Sequence, residues 1–337
     1  MTTETILITG ANGEISHSLI TELSKQDNVE LVALDLNPID ESLIPCCCEF
    51  VQGNILDEPK LADLFSKYHF TTIYHLASIL STQAEIKPNL AQKVNVQGTA
   101  NLLELAAQQS SQFGYSTKFI YPSSIAVYGL MSIEQKIKAG HVHESEYTTP
   151  ITLYGCNKLA CEQLGNYYDH YYRLLDQSKT SRIDFRSIRF PGLISAITVP
   201  TGGTSDYGPE MLHHAAQSLS YGCFVRPDSR LPFMVMPDAV RSLLLLAAAP
   251  KANLSQTVYN VTSFNPSAEE LKDITLTAFP SADISYEIHP QRQRIVDSWP
   301  ADIDDSAARN DWQWLPDYNL EKAFQEYLIP MIRSKYN

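Results

Sequence analysis

The sequence predicts an α/β fold: a doubly wound parallel sheet followed by a smaller, irregular α/β lobe. Three observations carry the prediction. A β-branched run, Ile6-Leu7-Ile8-Thr9, breaks at Gly10; Gly13 follows, and Ile15, Leu19, Ile20 and Leu23 then open a stripe with helical spacing. Short apolar strands alternate with helical patterns through the first half, which requires right-handed crossovers and helices on both faces of a sheet. Beyond residue 180 that rhythm loosens.

Length and charge exclude several classes. The 337 residues suffice for one large domain or two. A net charge of −13 argues against nucleic acid or an anionic membrane surface, since phosphate binding relies on clustered Lys and Arg. The longest apolar run, 243–249, is far short of the ~20 residues that span a bilayer, so no membrane segment is expected. The first strand begins by Ile6, which leaves no room for a leader, and a cytoplasmic protein is expected. Six cysteines without a Cys-x-x-Cys pair read as reduced thiols. The adjacent Cys46, Cys47 and Cys48 cannot all turn toward one ion, so no metal is expected.

The elements follow in order. The turn Gly10–Gly13 between a strand and a helix start is where a dinucleotide pyrophosphate sits: Gly10 permits the turn, Gly13 lets backbone approach the phosphates, and helix N–H groups face the charge. Ser16 is small enough for close helix–strand packing. Asp35 closes the next apolar run, Leu31 to Leu34, 19 residues after Ser16. An acidic side chain there accepts the ribose hydroxyls of NAD and repels the 2′-phosphate of NADP. A short third strand at 49–51 leads to Asn54 and Ile55, read as meeting the adenine. A helix at 58–68, a strand at 72–76 ending in Ala77-Ser78, a helix at 90–108 and a strand at 119–121 continue the Rossmann-type pattern. A helix over 154–175 and a sixth strand over 183–190 complete it. Thereafter come a loop at 200–208, helices at 211–219, 238–248, 267–279 and 320–334, and strands at 233–236 and 258–261. The expected division is an NAD-binding domain over 1–180 and a mainly substrate-binding lobe over 181–337, interleaved in part.

The chemistry gathers after the fifth strand. Ser123-Ser124 is followed by Tyr154-Gly155-Cys156-Asn157-Lys158, and Tyr-x-x-x-Lys puts both side chains on one helix face a turn apart. The ammonium is expected to lower the phenol toward working pH and make Tyr154 a general base; Lys158 holds the nicotinamide ribose and Ser124 fixes the substrate oxygen. A second copy, Tyr318 and Lys322, lies in the tail, outside this frame. His141 and His143 stand at strand spacing without an obvious third ligand, and read as an exposed loop.

Gly10-x-x-Gly13, His75-Leu76-Ala77-Ser78, Asn95-Val96-Gln97-Gly98-Thr99, Ser123-Ser124 and Tyr154-x-x-x-Lys158 together resemble the extended short-chain dehydrogenase/reductase superfamily. Within it, Arg189 to Ser195, Gly202 to Tyr207, Arg226 to Met234, Tyr259 to Thr262 and Asp297-Ser298-Trp299-Pro300 resemble the short-chain type of L-threonine 3-dehydrogenase family. The resemblance implies NAD-dependent oxidation of the L-threonine 3-hydroxyl to 2-amino-3-oxobutanoate, in a homodimer paired through two long helices, here 90–108 and 154–175. It implies cofactor contacts at Gly10, Asn12, Gly13, Glu14, Ile15, Asp35, Leu36, Asn54, Ile55, Leu76, Ala77, Ser78, Asn95, Tyr154, Lys158 and Phe190. Substrate contacts fall on Ser81, Ser124, Tyr154, Thr204 and Trp299, although Ser81, Thr204 and Trp299 also read as loop or packing residues. The sequence departs from the family pattern at Ser16, at Asn54 where Asp is usual, and in a longer segment over 130–149. A nucleotide-sugar epimerase or dehydratase of the same superfamily is the alternative, with Arg226, Arg230 and Arg241 available for a diphosphate. A non-catalytic NAD sensor is a third reading, which the intact Ser124, Tyr154 and Lys158 oppose.

Overall fold

The computed structural model describes residues 3–176, 182–199 and 203–336. Seven strands form one sheet: β1 (Glu4–Thr9), β2 (Val29–Asp35), β3 (Glu49–Gln52), β4 (Thr72–His75), β5 (Thr117–Ser124), β6 (Ile183–Phe190) and β7 (Val258–Asn260). Their order is β7-β6-β5-β4-β1-β2-β3. Leu7 of β1 lies opposite Val32 on one side and Ile73 on the other, both in parallel register. The order reverses between β1 and β4, and in such sheets the crevice beyond the strand ends at the reversal is where ligands bind.

A strand covered on both faces is buried along its whole length. All eight residues of β6 are buried, as are Leu7, Val32, Ile73 and Phe119 in the same core. The described helices of this layer include α1 (Glu14–Leu23), α2 (Glu58–Lys67), α3 (Gly98–Phe113) and α4 (Leu153–His170). Close packing is set by glycines where it is tightest. A Cβ at Gly165 of α4 would lie 2.2 Å from the Phe185 ring, and one at Gly98 would lie 2.4 Å from Ile55 Cδ1.

The chain divides into two compact units, one of residues 1–123, 156–188 and 243–258, the other of 124–155, 189–242 and 259–337. Among its described residues the second unit has three short parallel pairs: Gly192–Ile194 with Phe233–Val235, Tyr221–Cys223 with Ile284–Tyr286, and His141–Val142 with Asp302–Ile303. Among the described residues, no helix is long and apolar enough to cross a membrane.

Several expected elements are corrected. The helix read as 154–175 ends at His170, and Arg173 just beyond takes a left-handed φ of 51° that no helix continues. The pattern at 90–108 breaks into Pro88–Gln92, a π-turn at Lys93–Gln97 and α3, which runs on to a left-handed cap at Gly114. The segment 130–149 is not an exposed loop. It contains the helix Ile133–Ala139, capped by Ser132 Oγ accepting from the Gln135 N–H at 3.1 Å, and a strand that buries Val142. His141 and His143 stay exposed, facing Asp302 at 3.3 Å and Asp304 at 3.7 Å. Among the described residues no three potential metal ligands cluster. Gly202 lies outside the described residues.

Candidate dinucleotide and proton-transfer site

In the first unit the glycine turn is built for close backbone approach. Gly10 has φ +70°, and a Cβ there would lie 2.7 Å from the Ala77 backbone, so the ends of β1 and β4 meet only because the residue is glycine. Gly13 is the N-cap of α1 and no side chain caps it, leaving helix N–H groups to face an anion. Ser16, where the third glycine is usual, is fully buried and donates to the Gly10 carbonyl at 2.6 Å. Its hydroxyl therefore ties the turn to the helix.

Asp35 and Asn12 brace the neighbouring turn. The Asp35 carboxylate accepts from the Asn12 N–H at 3.0 Å and the Asn37 N–H at 2.9 Å. The Asn12 amide donates to Pro38 O at 2.7 Å. Glu14 and Leu36 are exposed beside this turn, and Ile15 is half-buried. Asn54 Oδ1 accepts from the Leu56 N–H at 3.0 Å, while Ile55 is buried. The bare helix start, the cradle at Gly10 and the strand-end carboxylate fit a dinucleotide.

At the end of β4, His75 is fully buried between two hydroxyls. Thr99 spends its proton on the Asn95 carbonyl and so accepts from His75 Nε2 at 2.9 Å; Nδ1 accepts from Thr9 at 2.7 Å. Burial pushes the imidazole down to about 3, so it stays neutral. Leu76 N–H donates to Thr9 O at 3.1 Å. Ala77 and Ser78 are half-buried, and Ser81 opens the helix Ser81–Ile86. Asn95, within the π-turn, accepts from the Ile79 N–H at 2.7 Å and donates to Ile79 O at 3.0 Å. It thus holds the loop that carries Ala77 and Ser78.

Lys158 is 4 % exposed, donates to Pro122 O at 2.7 Å and lies 4.6 Å over the Tyr121 ring. Burial draws its ammonium down to about 8, against the favourable charge of Glu162. Tyr154, a turn earlier, is raised above the ordinary phenol value by burial. The expected lowering by the neighbouring ammonium is not seen, because burial disfavours the phenolate. Asn157 and Glu162, which sequence reasoning missed, join this face of α4. Asn157 accepts from Asn95 at 3.4 Å, and Glu162 accepts from Ser123.

In the second unit, Ser124 accepts from the Ala126 N–H at 3.1 Å. A Cβ at Gly155 would lie 2.0 Å from Ala126 O, so the first turn of α4 rests on the backbone just after Ser124. Gly155, also missed, is what brings the turns of Ser124 and Tyr154 together. Its place directly after Tyr154 was the available signal. Phe190 and Thr204 are buried. Trp299 is 5 % exposed, and its Nε1 has no hydrogen-bond partner among the described residues. Arg226 makes a two-pronged pair with Asp297 at 2.9 and 3.0 Å, Arg230 meets Glu270 at 3.1 Å, and Arg241 meets Asp317 at 3.1 Å.

Comparison with known proteins agrees with this geometry. The profile of the NAD dependent epimerase/dehydratase family matches residues 6–262. The chain is 34% identical over 318 residues to a Bos taurus protein named L-threonine 3-dehydrogenase, mitochondrial, covering 94% of this chain and 79% of that one. It is 32% identical over 334 residues to an uncharacterized epimerase/dehydratase of Staphylococcus saprophyticus, covering 98% and 97%. Among solved structures, L-threonine dehydrogenase from Clostridium difficile superposes with a TM-score of 0.86 at 32% identity, covering 99% of each chain. A glycine turn against β4, a bare helix start and a match that runs from the first strand through β7 lead to one assignment: this chain belongs to the NAD dependent epimerase/dehydratase family.

Proposed function

We propose that this chain is an NAD-dependent oxidoreductase that converts the 3-hydroxyl of L-threonine to the ketone of 2-amino-3-oxobutanoate, using Ser124, Tyr154 and Lys158. The observation that carries the reading is the contact at Gly155, which lays the turn of Tyr154 against that of Ser124. The named relatives support the substrate.

NAD, when bound, supplies the acceptor for the hydride leaving C3. Gly10, Gly13 and the start of α1 would hold its phosphates, with Asp35 on the adenine ribose. Ser124 donates to the substrate oxygen, and Tyr154 takes the hydroxyl proton at its phenolate oxygen. Lys158, one helical turn away, supports the phenolate with its positive charge. Thr204 and Ser81 bind the polar groups of the amino acid, and Trp299 walls the methyl group. The pairing of Arg226, Arg230 and Arg241 with carboxylates weighs against a diphosphate substrate. The proposal extends to a cytoplasmic homodimer in threonine catabolism.

The test is NADH formation on adding L-threonine, with D-threonine, L-serine and UDP-glucose in parallel. A signal confined to L-threonine is expected. Silence there, with epimerisation of UDP-glucose, would replace this reading by the nucleotide-sugar one. A monomeric mass in solution at micromolar concentration would remove the homodimer.

A further inference from the structure

The 130–149 segment grips the backbone on both sides of Trp299. The helix Pro290–Ser298 ends at Trp299, whose N–H reaches back to Val296 O at 3.3 Å. The same carbonyl accepts from Lys136 Nζ at 2.9 Å, and Lys136 is only 6 % exposed. Two residues on, Ser298 O accepts from the Leu130 N–H at 2.8 Å. Beyond the tryptophan, Asp302 and Ile303 pair with His141 and Val142, and the Asp304 N–H donates to Val142 O at 2.9 Å.

An ammonium at a helix C-terminus gives a terminal carbonyl a further donor and complements the negative end of the dipole. Burial disfavours its charge here, while Asp297 and Asp228 favour it and Arg226 opposes it. An apolar side chain at 136 would pack without that desolvation. The indole of Trp299 makes no hydrogen bond among the described residues, so packing and these backbone bonds set where its ring lies.

We propose that Lys136 is a positioning residue: by holding the Val296–Trp299 turn, it sets the reach of the Trp299 indole and hence the size of the 3-hydroxy amino acid accepted. The inference rests on the reading in which Trp299 walls the substrate pocket. It assigns a role to the segment 130–149, which the sequence alone leaves without one.

The experiment places Lys136→Met, close in length and apolar bulk, in the full chain and in a Trp299→Phe background. One lost hydrogen bond at the turn is expected to raise KM for L-threonine about fivefold, with kcat and the KM for NAD within about twofold. In the Trp299→Phe background the same substitution is expected to leave KM unchanged, because coupled residues are non-additive. An equal rise in both backgrounds, or a rise shared by NAD, overturns the proposal. A second readout needs no substrate: the emission of Trp299, taken as the difference between wild type and Trp299→Phe, gains acrylamide quenching in Lys136→Met. Unchanged quenching also overturns it. If the wild type turns over no 3-hydroxy amino acid, the functional reading fails and quenching alone decides on Lys136. If Lys136→Met does not fold, Lys136→Gln is measured in the same way, with the same deciding outcomes.

Discussion

Gly155 has no side chain because there is no room for one: its Cβ would sit 2.0 Å from Ala126 O. Gly155→Ala must therefore lift the first turn of α4 and carry Tyr154 away from Ser124. Misplacement on that scale costs about a hundredfold in kcat; steady-state rates check this, with far-UV circular dichroism showing the chain still folded. Tyr154→Phe is expected to lose at least about a hundredfold while NAD affinity, measured by calorimetry, holds. His75 makes a prediction of another kind. Folded, it stays neutral to about 3 against an ordinary 6.5. Between those values the unfolded chain binds a proton that the folded chain refuses, so stability falls as pH drops below 6.5. From pH 7 to 5 the loss is about 2 kcal/mol from this residue. Urea titrations at the two pH values test it, and His75→Asn should show a correspondingly smaller loss.

At the scale of elements, what could be read from the sequence was what repeats or is apolar. The bounds of the strand at 183–190 match the sequence reading, although four of its eight buried residues, Asp184, Arg186, Ser187 and Arg189, are polar. Arg186 shows how such a charge survives there: it pairs with Asp184 at 2.6 Å and donates to the carbonyls of Leu246 and Ala249. Removing its guanidinium, as in Arg186→Met, leaves Asp184 and those carbonyls less satisfied and is expected to cost about 3 kcal/mol in a urea titration. The glycine turn was legible because its chemistry is local. The segment 130–149 was not: its strand is two residues long and exists only through Asp302 and Ile303, more than a hundred positions away. Its helix shows polar residues in every turn, yet it buries Lys136. A spacing of four residues likewise says nothing of the burial around Tyr154, which raises its phenol.

Across the whole molecule, the chain passes five times between its two units. Neither can be cut out as one stretch. A fragment of residues 1–180 lacks β6 and β7, which leaves β5 as a long unpaired edge and Phe119 without Phe185, its neighbour at 6.1 Å. Such a fragment is expected to be insoluble or unfolded, and a dispersed amide spectrum from it would refute this. The same winding has a bearing on Trp299. Lys136 and Leu130 hold carbonyl oxygens, which every residue type offers, and not the side chains of Val296 or Ser298. Substitution around the indole can therefore reshape the surface it presents without loosening its mooring. On the proposed reading, in which Trp299 walls the substrate, position 299 is where the accepted side chain could be altered while the backbone at Val296 and Ser298 stays anchored.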